Sequence, residues 1–291
     1  MTTVTGPVAG QSHPAARMTM TPGRWVTLLI GVPIALGLIL GSGLSLVSDI
    51  GMASFPVSGT IPLEHGRLVA SSNGGDLTVV PGQASGGTAR FTGTVQYSLV
   101  RPDFSVRGAS IDFHCRYLLG NCQLNTSLSV PPRTALDLNS GGGNMQVNGI
   151  QSAVMLNSAG GDVSLSSSGG AATVDSGGGN LNLSRLGGIL KFTTSGGDVD
   201  SSDLTSPNVT TDAGGGNVAL TFTRPPANVS ITSSGGDVTI LLPRGATQYR
   251  LTIITSGGDY TPSPSVPTGP AAADMIYVNS GGGNVSITEA S

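Results

Sequence analysis

One short motif constrains this chain more than anything else in it: a small residue or Asn, then Gly-Gly, then Asp or Asn, then an apolar residue. It occurs first as Asn73-Gly-Gly-Asp76-Leu77. Eight further copies place their Asp or Asn marker at Asn144, Asp162, Asn180, Asp198, Asn217, Asp237, Asp259 and Asn284, with spacings of 18, 18, 18, 19, 20, 22 and 25. Self-similarity at such a period is the signature of stacked repeats. The 45 Gly in 291 residues show no three-residue period, which excludes a collagen-like chain.

The flanks of each marker say what is stacked. The positions eight and six before it, and one and three after it, are apolar in 29 of 32 cases; the exceptions are Thr211, Ser201 and Pro262. The residues between them are mostly polar. This alternation on both sides of the glycines predicts two half-buried strands per repeat and no helix. A unit of 18 residues cannot close a core alone, so the coils must stack into a continuous interior. The expected fold is all-β: a single-stranded β-helix, or β-solenoid, of about eight or more coils in sequence order. The Gly-Gly pair is expected to make the corner, by taking positive φ and by leaving room for the neighbouring coil.

The SGGD and GGGN repeats, with the Cys115…Cys122 pair leading into Leu128-Ser-Val130-Pro-Pro and an apolar stretch near the N-terminus, resemble the bacterial DUF4097 family of adhesin-like proteins. That resemblance covers about residues 57–291. It implies a right-handed β-helical domain of the cell envelope with no established catalytic residues.

From Trp25 to Val47 the chain has no charged residue. As a helix this stretch would span about 34 Å, enough to cross a bilayer. Arg17 and Arg24 precede it and Asp49 follows, so the positive-inside rule predicts a single-pass cell-membrane protein with residues 1–24 cytoplasmic and the C-terminal domain outside. A cleaved signal peptide is the alternative, but the apolar region is too long for one. Residues 25–48 are therefore read as a transmembrane helix, 49–60 as a linker, 61–133 as N-terminal coils or a cap, and 134–291 as the repeat solenoid. Residues 262–274 read as an exposed Pro-rich loop. Cys115 and Cys122 are the only cysteines, and an even pair outside the membrane suggests a disulfide hairpin. Zinc would need more ligands than these two and His114.

The marker column is the sharpest chemical feature. Stacked carboxylates one coil apart would repel, and alternating Asn would relieve this while its amides bond along the stack. These residues are expected to form a structural Asx ladder. One carboxylate per coil cannot supply the six to eight oxygens that calcium takes, so no metal or other cofactor is expected. The densest acid cluster is Asp198, Asp200 and Asp203, with Lys191 nearby, and it would be the site of any polysaccharide-cleaving activity. With no His after His114, the expectation is that the protein is not an enzyme. The net charge of −3 argues against nucleic acid as a partner. A non-catalytic adhesion, binding or scaffolding module follows, its partners the membrane and a cell-wall polymer, glycan or envelope protein. An envelope-stress or sensory accessory is the alternative.

Overall fold

A computed structural model of the protein describes residues 53–82, 87–97, 103–114 and 122–290. The cytoplasmic tail and membrane-helix assignments, the Cys115 partner and the Cys122 side chain lie outside them. Among the described residues there are 23 β-strands and no helix, so none is long and apolar enough to cross a membrane.

The strands form two sheets of twelve and eleven, and each coil contributes one strand to each. The coils run parallel and in register: Val154 pairs with Leu136 on one side and Ala172 on the other, and Val163 with Met145 and Leu181. In-register stacking puts like residues above like, so alternation along each strand becomes columns through the rod. The columns are apolar. Leu136, Val154, Leu190 and Val229 are 3, 2, 1 and 0 % exposed. Where one coil carries the small Ser201 inward, the same coil carries the large Phe192, keeping the interior filled.

Spatial order departs from sequence order at both ends. Numbered along the rod, coil 1 is 110–130, coil 2 is 67–81, and coils 3 to 8 are 135–148, 154–168, 172–186, 190–204, 208–222 and 228–242; coil 9 is 274–289 and coil 10 is 249–262. The chain leaves coil 8, skips a place to build coil 10, then returns to insert coil 9 between them. Strand Asn228–Ser233 thus pairs with Asp274–Ser280 and not with Tyr249–Thr255. The expected consecutive stack is corrected here. The connection 243–248 that makes this step has six residues, against three in 169–171 and 187–189 and five in 149–153 and 223–227. Threading buries the wholly aliphatic face of coil 9 (Ile276, Val278, Val285, Ile287). The half-exposed end position goes to Leu251, Ile253 and Tyr260. The Pro-rich loop is not simply exposed: Val266 is buried, and Thr268 bridges to Tyr249 at the edge of coil 10.

At the other end the 49–60 linker assignment is also corrected. Ala53–Pro62 is a ten-residue strand pairing antiparallel with Thr88–Tyr97, which in turn covers Cys122–Val130 of coil 1. Asp103–Arg107 covers Ser110–His114 in the second sheet. Turning antiparallel with a Pro56 in the outermost strand ends the parallel ladder and blunts its edge.

Candidate functional site

The corner after the first strand of each coil carries the marker residues. The structure places all eight in one row and adds two more, Asn125 and Asp76. In spatial order the row reads Asn125, Asp76, Asn144, Asp162, Asn180, Asp198, Asn217, Asp237, Asn284, Asp259. Asn and Asp alternate at every step. Each Oδ1 except that of Asp259, the last in the row, accepts the backbone N–H of the next marker, in nine bonds of 2.7 to 3.0 Å with one polarity. The amides therefore do not bond one another as the sequence suggested; the ladder is made through the side-chain oxygens. The adjacency of Asp237 and Asp259 in sequence order also disappears. Asn284 sits between them, so no two carboxylates of the row are closer than two layers, about 9.6 Å.

The glycines before each marker act sterically. A Cβ on Gly161 would collide with the carbonyl of Gly143, and one on Gly179 with that of Gly161; one on Gly160 or Gly178 would meet nothing within 4 Å. Of the marker glycines only Gly75 has positive φ, so the expected left-handed corner is corrected: the inner Gly is needed because the next coil's backbone occupies the place of its side chain. A hydroxyl closes the corner from inside. Ser140, Ser158, Ser176 and Thr194 each donate to the carbonyl of the Gly three residues on, at 2.8, 2.8, 2.9 and 3.3 Å. Ser233 and Ser280 do the same in coils 8 and 9, and Ala213 interrupts the row.

Sequence reasoning missed several of these parts. The Ser or Thr four residues before the markers, broken only by Ala213 among the eight repeats from Asn144 to Asn284, was legible as a pattern. Asp76 carried the motif but stood 68 residues from Asn144. Asn125 has no Gly-Gly before it and could not have been found. Left-handed backbone occurs instead at Ser167, Arg185 and Asp203, one layer apart and continuing from Gly149, where each strand bulges before its last inward residue.

The acid cluster is dispersed by the fold. Asp198 accepts the Asn217 N–H in the ladder, Asp200 points outward beside Asn182, and Asp203 occupies the bulge. Among the described residues no group of three or more His, Cys, Asp or Glu is placed to hold a metal ion. Two inward hydroxyls, Thr211 and Ser168, and the Tyr249 phenol have no hydrogen-bond partner among the described residues. Burial, with the charges of Asp274 and Glu289 behind it, pushes the Tyr249 phenol up to about 12.

Beside the ladder, on the outer face of the eleven-stranded sheet, a groove of about 690 Å³ runs along the rod across coils 1 to 6. Its base is formed by the corner-closing Ser140, Ser158 and Ser176, and its flank by Asn139, Asn157 and Asp175. Asn157 donates to Asn139 at 2.9 Å.

A two-sheet parallel β-solenoid with an alternating Asn/Asp corner defines the class of protein. The chain belongs to the Toastrack DUF4097 family, whose model matches residues 58–265. Coil 9 lies beyond that match. No curated protein matches the chain. Among solved structures, a protein provisionally assigned to cell adhesion, from Clostridium sporogenes, is similar at 12% identity, covering 81% of this chain and 100% of that one with a TM-score of 0.25.

Proposed function

We propose that this protein is a non-catalytic adhesion or binding module of the cell envelope. A stack of ten parallel coils presents polar side chains of varied type in register on its outer faces, and this single observation carries the reading. Thr78, Gln146, Ser164, Asn182 and Asp200 form one such row, in register across five coils. A row of weak polar contacts at fixed spacing gains affinity by multivalency and needs no deep pocket. The dispersal of Asp198, Asp200 and Asp203 supports binding over catalysis. The apolar stretch Trp25–Val47 supports display from a membrane, with the solenoid on the outer side.

The test is retention of the full chain, in detergent or nanodiscs, on envelope fractions: isolated cell wall, membranes and secreted polymer. Saturable retention on one of them is expected. Absence of retention on all three would refute the reading, and so would turnover of a polysaccharide that disappears in Asp200→Asn.

A further inference from the structure

From the groove beside the ladder we infer that an uncharged or amino-substituted polysaccharide lies lengthwise along coils 1 to 6; this rests on the binding-module reading and names its ligand class. Five observations carry it. The groove is lined in register by Asp112, Ser71, Asn139, Asn157, Asp175 and Thr193, one residue per layer. Six layers span about 24 Å, and the spacing of about 4.8 Å is close to the length of one pyranose in an extended chain. All six side chains are half-buried, whereas Asp212 and Thr232, which continue the row, are exposed, so the groove has a definite end. The Asp175 carboxylate, between Asn157 and Thr193, meets no donor among the described residues, and Asn157 keeps its carbonyl oxygen free while its amide orients Asn139. Finally, no Lys or Arg lines the groove.

The chemistry selects the polymer. Carboxylate and amide oxygens accept hydroxyl or amino protons, and Ser and Thr hydroxyls both donate and accept, which suits a hydroxyl-rich chain. Two carboxylates and no base repel an anionic polymer. The strand N–H and C=O groups beneath are already paired along the sheet, so an extended peptide finds no edge to join here.

The experiment passes the full chain over cellulose, chitin, chitosan and polygalacturonate, with wild type, the double variant Asn157→Ala/Asp175→Ala, and Arg244→Ala at an exposed position in the 243–248 connection, outside both polar rows. Melting temperatures within 2 °C of one another show that the variants are folded. The expected result is retention on cellulose, chitin or chitosan, loss of at least about tenfold in the double variant, no change in Arg244→Ala, and none on polygalacturonate. Stronger binding to chitosan than to chitin would assign the amino-bearing polymer, and the reverse the uncharged one. Equal retention of the double variant, or retention on polygalacturonate, overturns the inference. Retention on an envelope fraction but on none of the four polymers overturns it while leaving the binding module standing; retention on neither removes both.

Discussion

Replacing Asn180 by Asp changes the ladder's charge and almost nothing else. Its Oδ1 accepts the Asp198 N–H at 3.0 Å, and a carboxylate oxygen in the same place accepts it equally well. The new charge lies one layer, about 4.8 Å, from Asp162 on one side and Asp198 on the other. Unit charges at that distance repel by about 0.9 kcal/mol in water, and salt near 0.15 M reduces this to roughly half. The markers are exposed, so the water value applies and the two neighbours together cost about 1 kcal/mol. For a solenoid of this size that is a fall of about 2–4 °C in melting temperature. The new carboxyl holds its proton more tightly in the folded rod than in the unfolded chain. The penalty is therefore present at pH 7 and disappears as pH falls through the carboxylate range. Asn284→Asp should cost the same, because threading sets Asn284 between Asp237 and Asp259; in a consecutive stack it would face one carboxylate and cost half. Thermal unfolding by circular dichroism at pH 7, at low and high salt, measures both. A loss for Asn180→Asp that salt does not diminish, or no loss, would refute the electrostatic account, and half the loss at Asn284 would refute the threading.

Other expectations follow from the same geometry. Gly161→Ala should cost about 3 kcal/mol by driving a Cβ into the Gly143 carbonyl, while Gly160→Ala should stay within about 0.5 kcal/mol; chemical denaturation of the pair reads this directly. Thr211→Val removes a buried hydroxyl without a partner at nearly constant volume and should stabilise the rod by about 1 kcal/mol in the same assay. Because the Tyr249 phenol is pushed up to about 12, stability should be lost as pH rises from 10 to 12, and Tyr249→Phe should unfold less steeply over that window. Cysteines at Thr232 and Asn279 should oxidise to a disulfide, since these residues pair across adjacent strands; Thr232 with Ile254, two layers apart at about 9.6 Å, should not.

The architecture was legible because stacking turns a linear pattern into a spatial one. Each inward position could be read from alternation about a marker, and even the polar exceptions Thr211 and Ser201 proved to be inward. The regular middle, from Asn144 to Asp237, needed nothing more. The ends were not legible in the same way. Nothing in residues 53–62 distinguishes a linker from a capping strand until the strand Thr88–Tyr97 is there to pair with it. The groove, too, joins Asp112 to residues as far away as Thr193, and no local window holds both.

By itself the sequence determined the period, the two strands per coil, the apolar interior and the choice of Asn or Asp at each corner, all of which depend on neighbours a few residues away. Only the tertiary structure decided which coil stands next to which. Parallel coils of one pattern can pair with any other, so local sequence leaves the order open. The order observed buries the aliphatic face of coil 9 and sets Asn284 between Asp237 and Asp259, contacts that exist only once the coils are stacked.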